Sequence, residues 1–157
     1  MPTHLNFIED IREIILRDLT VMIDEVNGTP DSLLWTNFPG ISNSVGTLAF
    51  HLCGNLKHFI GAVIGNDGYI RQRDEEFNPQ PLSKAELISE IASTKNAVNA
   101  ALTALSMSQL EEVMPDTPPQ HIGRTIGFFL IQLTCHLSRH RGQLDYLRRI
   151  LIANSGN

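Results

Sequence analysis

The sequence predicts an all-α protein, a four-helix bundle. Three observations predict it. Apolar residues recur at three- and four-residue steps along four long stretches. Clusters of Gly and Pro separate those stretches. No segment shows the sustained alternation of a half-buried strand. Helices of about 20 to 29 residues would be roughly 30 to 45 Å long, and packing them side by side buries their apolar stripes.

The first helix is expected from about Leu5 to Val26, with Leu5, Ile8, Ile11, Ile15, Leu19, Met22 and Val26 on one face. Asn27 and Gly28 end it, since Gly readily takes the left-handed conformation at a helix C-terminus. A linker from Thr29 to Ser42 carries Pro30, Pro39, Gly40 and the only tryptophan, Trp35, which should pack over a core edge. The second helix runs from Asn43 to Ile64, capped by Ser42 or Asn43, and is broken by Gly65, Asp67 and Gly68. The third starts at Ser83, where Ser83 and Glu86 have capping-box spacing, and continues to about Leu105. Pro115, Pro118 and Pro119 mark the next break, and the last helix runs from about Arg124 to Ile152. About 18 residues join the second and third helices. Fully extended they could span roughly 60 Å, enough to return along the bundle and start a parallel helix. An ordinary loop with an ornament is equally permitted.

The chain has 157 residues, 42% of them hydrophobic and 18% charged, so it can bury a core as a single domain over 1–157 and is not a disordered tail. Its net charge of -5 argues against a general nucleic-acid partner. The longest strongly apolar stretch, Ile126 to Leu133, is far shorter than the ~20 residues of a membrane span. The first ten residues show no signal-peptide pattern, so the expected location is the cytoplasm. Two cysteines, Cys53 and Cys135, exclude a disulfide framework and read as small core residues.

Function is carried by the histidines. In LTCHLSRHRGQLDYLRR, His136 and His140 stand four apart, one turn above the other, so their imidazoles can meet at one point. That is why H-x-x-x-H on a helix recurs as a metal chelate. His140 shares the stripe of Leu133, Leu137, Leu144 and Leu147, with His136 at its margin. Two inward histidines need two separate acceptors or one shared cation, and the cation is simpler. On the second helix Thr47, His51, Asn55 and His58 share a face, and the same face could be a solvent-facing polar stripe. His51 and His58 are about 10 Å apart along the axis, too far to bind one ion together with His136 and His140. Three histidines from two helices would leave a coordination position open, the layout of a catalytic site.

The stretches SNSVGTLAFHLCGNLKHFIG, RQRDEEF and HLSRHRGQLDYLRR, in this order, resemble the DinB superfamily. Its members include YfiT-like proteins and the bacillithiol- and mycothiol-dependent S-transferases. The resemblance covers nearly the whole chain. It implies a four-helix bundle of up-down-down-up order, a homodimer, and a divalent metal held by His51, His136 and His140. Some relatives transfer a low-molecular-weight thiol to an electrophile, and one branch isomerises maleylpyruvate using a thiol. Asn55, His58 and Gln143 are in phase to orient ligands or to touch a small-molecule substrate. Arg139 and Arg141 flank His140 and could meet an anionic substrate, or lie on a solvated face or dimer contact.

Two reactions suit such a centre. A divalent metal (zinc or nickel first, iron also suitable) can favour deprotonation of a thiol co-substrate whose free pKa is ~8.5. Alternatively zinc can activate water, lowering its pKa to ~7. A zincin-type helix places Glu directly after its first His, and here that position is Leu137. Glu75 and Glu76 fall in a loop whose placement is open. The missing local carboxylate favours a thiol S-transferase over a metal-dependent hydrolase. The other reading is a non-catalytic metal-binding or stress-related interaction bundle.

Overall fold

An oxygen of the Asn6 side chain accepts a bond from the Glu9 amide and starts the first helix, α1 (Phe7–Asn27). Glu9 and Asp10 in its first turn suit the positive end of the helix dipole. The computed structural model describes residues 6–78 and 82–156, so Leu5, expected to begin this helix, lies outside the described residues. Gly28 ends α1 with φ -77°, so the expected left-handed turn is not used. Instead the Gly28 amide donates to the Asp24 and Val26 carbonyls in a tightened right-handed turn.

Four helical residues, α2 (Asp31–Leu34), interrupt the linker. The next long helix, α3 (Val45–Leu56), is capped by Ser44, not by Ser42 or Asn43. Ser44 holds the extended backbone of a residue half inside the helix (ψ 171°), and its Oγ accepts from the Thr47 amide at 3.1 Å. From Lys57 to Ile64 the same rod continues as a π-helix, closed by the Gly65 amide bonding Ile60 O five residues back. A short helix, α4 (Arg73–Phe77), sits in the connection that follows, of which residues 79–81 are outside the described set. The capping box of Ser83 and Glu86 opens α5 (Lys84–Ala104) as expected. Thr125 caps α6 (Ile126–Asn154) by accepting from the Phe128 amide.

Contacts give the directions of the long helices. Arg12 bonds Asn99 and Thr20 bonds Lys95, so α1 and α5 are antiparallel. Lys57 pairs with Glu90, and Gly61 faces Ala97, so α3 and α5 run the same way. Phe59 stacks near Phe129 while His51 sits by His136, so α3 opposes α6. Asp18 bonds Ser138 and Glu25 bonds Arg141, so α1 and α6 are parallel. The stripes Ile15, Leu19 and Met22, then Leu52 and Leu56, then Leu87 and Ile91, then Leu130, Leu137 and Leu144 meet in one buried core. Among the described residues no helix is long and apolar enough to cross a membrane.

Trp35 does pack at a core edge. Its indole Nε1 donates to the Leu82 carbonyl at 2.8 Å, and its ring covers Gly46 in the first turn of α3. A Cβ at Gly46 would stand 2.7–2.8 Å from three ring atoms. Gly46→Ala is therefore expected to push the indole off Leu82. The overpacking costs about 1–3 kcal/mol, only partly offset by about 1 kcal/mol of helix propensity. A thermal melt no lower than wild type would show that the ring yields freely.

Candidate metal centre

The antiparallel pairing of α3 and α6 sets one histidine against two. His51 on α3 and His136 and His140 on α6 each offer a ring nitrogen, and the three nitrogens lie within 4.8 Å of one another. The ring centroids are 5.3 Å (His51–His136), 5.5 Å (His51–His140) and 4.5 Å (His136–His140) apart, all edge to face. The last distance follows from i, i+4 spacing on one helix. His51 is buried, while His136 and His140 are half-buried.

Two rings are oriented from outside. His51 Nδ1 lies 2.8 Å from Glu76 Oε2, and His140 Nδ1 lies 2.7 Å from Gln143 Oε1. Both oxygens accept, so each Nδ1 carries the proton and each Nε2 keeps its lone pair for the centre. His136 has a buried Nδ1 with no partner among the described residues. Burial first, then the neighbouring His140 and His51, push its pKa down to about 4. Burial also lowers His140, against an opposing bond to Gln143. Such rings are neutral near pH 7, the form that binds a metal. A three-nitrogen set with one orphaned buried nitrogen and two rings oriented from outside fits a divalent cation, and the three residues can together hold one.

Glu76 reaches the site from α4. Its carboxylate is 2% exposed and takes two bonds from Arg71, at 2.6 and 2.8 Å, besides His51. Burial pushes its pKa up, but the bonds from Arg71 and His51 outweigh that and hold it below the usual carboxylate value. It lies directly over Gly54 of α3, where any Cβ would overlap its carboxylate.

The histidines open on a cavity of about 720 Å³ that also takes in Asn55, His58, Arg73, Asp116, His121 and Gln132. His58 Nε2 lies 3.0 Å from Asp116 Oδ2. Asn55 is buried, and its Oδ1 has no partner among the described residues. Of the side chains expected at the site, His51, Asn55, His58, His136 and His140 therefore share one cavity, and Gln143 orients His140 from behind. Arg139 stands apart: it is exposed and borders an adjoining groove with Gln143 and Tyr146.

Two readings of the sequence need correcting. Cys53 is buried, and burial pushes its thiol up to about 12, but Cys135 is exposed and not a core residue. It follows the outer face of α6, about 100° round from His136. Arg141 neither meets the cavity nor lies on a free face, because it bonds Glu25 at 3.1 Å and approaches the buried Asp18. Glu76, Asp116 and His121 carry no sequence signal that ties them to the site. Their five-residue helix and proline-rich loop are too short to show periodicity.

The lowered pKa values set a pH dependence. The unfolded chain protonates His136 near 6.5 and the folded chain only near 4, so the unfolded state binds more protons between those values. The ion-free protein should therefore be fully stabilised by these neutral rings above about pH 6.5 and lose that stability as pH falls towards 4. His140 adds in the same direction. Denaturation midpoints taken across this window, in wild type and in His136→Phe, check it: the variant's curve should be flatter.

Over residues 4–155 the sequence matches the family described as a protein of unknown function, DUF1572. Among solved structures, a DinB-like protein from Bacillus cereus ATCC 10987 is similar in fold. Its TM-score is 0.68 at 18% identity, over 94% of this chain and 92% of that one. No curated protein matches the sequence.

Proposed function

The chain belongs to the DUF1572 family, itself part of the DinB-like fold family, and from that premise we propose that it is a divalent-metal-dependent enzyme acting on a low-molecular-weight thiol. His51, His136 and His140 are the metal ligands in this reading. The observation that carries it is the convergence of three imidazoles, two of them braced from outside, at the wall of an open cavity. A bound divalent ion supplies a positive centre that favours the ionised form of a thiol reaching it.

The chain's own residues do the rest. Glu76 and Gln143 fix the tautomers of His51 and His140. Phe59, Phe77 and Phe129 make part of the cavity wall apolar, a surface for the carbon skeleton of a small substrate. Hydrolysis is less well supported. The carboxylate among the lining residues is Asp116, and it is already bonded to His58, while Glu76 is committed to Arg71 and His51. Zinc, nickel and iron all suit this donor set.

Metal analysis of untagged protein tests the first step. One divalent ion per chain is expected, bound through three imidazole nitrogens at ~2.0–2.1 Å by X-ray absorption. Loaded protein should then show ion-dependent conjugation of a thiol to an electrophile. An ion that binds without any such turnover would leave a metal-binding bundle and remove the transferase reading.

A further inference from the structure

Near the middle of α6 stands a glycine, Gly142. Glycine weakens a helix interior relative to alanine, so such a position usually has a packing reason. The other glycines inside helices have one. The space a Cβ would take is met by Trp35 at Gly46, by Glu76 at Gly54, by Asp67 at Gly61 and by Leu110 at Gly127. At Gly142 nothing among the described residues comes within 4 Å of that space, and its φ is not left-handed. The missing side chain instead opens the floor of a groove of about 620 Å³, a size usual for small-molecule sites. This groove adjoins the histidine cavity, with Asn43 and Leu48 in the wall between them. Ile41, Tyr146 and Ile150 give it an apolar side, and Tyr146, one turn beyond Gly142, is 65% exposed.

The charges around the groove have one sign. Arg139, one turn before Gly142, lines it and is exposed. Arg149 lies over the Tyr146 ring and adds a second cation at that edge. The acids packed nearby on α6 and α1 are engaged elsewhere: Asp145 with Arg148 and Arg149, Glu25 and Asp18 with Arg141. The facing wall, residues 36–50, carries no Asp, Glu, Lys or Arg. We propose that this groove binds a small amphipathic monoanion, with a flat carbon body over Gly142 against Tyr146 and a carboxylate on the Arg139 guanidinium. Bare helix backbone beside an exposed ring suits a flat body, whose burial is favourable. The guanidinium fork matches the two oxygens of a carboxylate. No ion is needed, so the inference stands apart from the metal reading above.

The test uses ion-free protein, so that no carboxylate can bind a metal. Two probes of one shape, 2-naphthoate and 2-naphthamide, are titrated calorimetrically. Wild type should bind the acid about 3–10-fold more tightly than the amide. Arg139→Gln should bring the acid down to the amide and leave the amide unchanged. Gly142→Leu fills open space with a better helix former, so it should melt no lower than wild type and bind neither probe. Wild type that binds the two probes alike, or binds neither, overturns the proposal. So does a preference for the acid that persists in Arg139→Gln, or naphthoate binding that survives Gly142→Leu. Sedimentation adds one more check: a wild-type dimer that Gly142→Leu splits would assign the groove to a second copy of the chain and overturn the proposal as well.

Discussion

Glu76→Ala is expected to weaken divalent-ion binding by about 10–100-fold and to destabilise the ion-free protein by about 3–5 kcal/mol. The two effects have one origin. The carboxylate is almost fully buried and is shared between the Arg71 guanidinium and His51 Nδ1. Truncation leaves Arg71, whose side chain is 11% exposed, without its counter-charge. It also frees the His51 ring to turn and to choose either tautomer, so the lone pair no longer points reliably at the centre. Glu76→Gln separates the two effects. Its amide oxygen can still accept from His51, so ion affinity should recover more than stability, because the charge facing Arg71 is gone. Urea denaturation without metal and competition titration with a zinc chelator measure the two quantities. Unchanged zinc affinity in a folded Glu76→Ala protein would falsify the bracing role.

His136→Ala should abolish ion binding with little cost to the ion-free fold. The ring is half-buried, its Nδ1 has no partner among the described residues, and it borders an open cavity. Loss of packing is therefore set against release of a desolvated, unpaired nitrogen, and the net change should stay within about 1 kcal/mol. The contrast appears on adding metal. An ion present at a hundred times its Kd stabilises wild type by about 2.7 kcal/mol, and the variant should gain almost none. Melting curves with and without zinc distinguish the outcomes. If the variant keeps the wild-type increment, the ion sits elsewhere. Together the two substitutions separate a ligand from its support, since one removes binding and spares the fold while the other impairs both.

Long periodic elements were legible from residues alone, because α1, α5 and α6 carry apolar stripes over many turns. The paired spacing of His136 and His140 was legible for the same reason: it is a property of one helix. The third histidine of the cluster needed more than spacing. His51 and His58 share a face, and only the antiparallel register of α3 against α6 brings His51 to the other two rings. Glu76 was visible as an acid in the charged RQRDEEF stretch, with nothing there to place it at the histidines. Its role depends on α4, a helix too short to show a period, folding back onto α3. Arg141 likewise reads as a surface cation until the parallel packing of α1 places Asp18 and Glu25 beside it. What escaped the sequence is tertiary in each case: a contact between segments far apart in the chain.

The absence of a side chain at Gly54 has a consequence for how this protein can change over time. The room there is filled by the Glu76 carboxylate, so residues 54 and 76 are in effect one volume divided between two addresses. Lineages that replace the glycine should have lost the acid as well, and lineages that keep the acid should keep the glycine. An aligned set of relatives in which the two vary independently would show that the carboxylate has another place to sit.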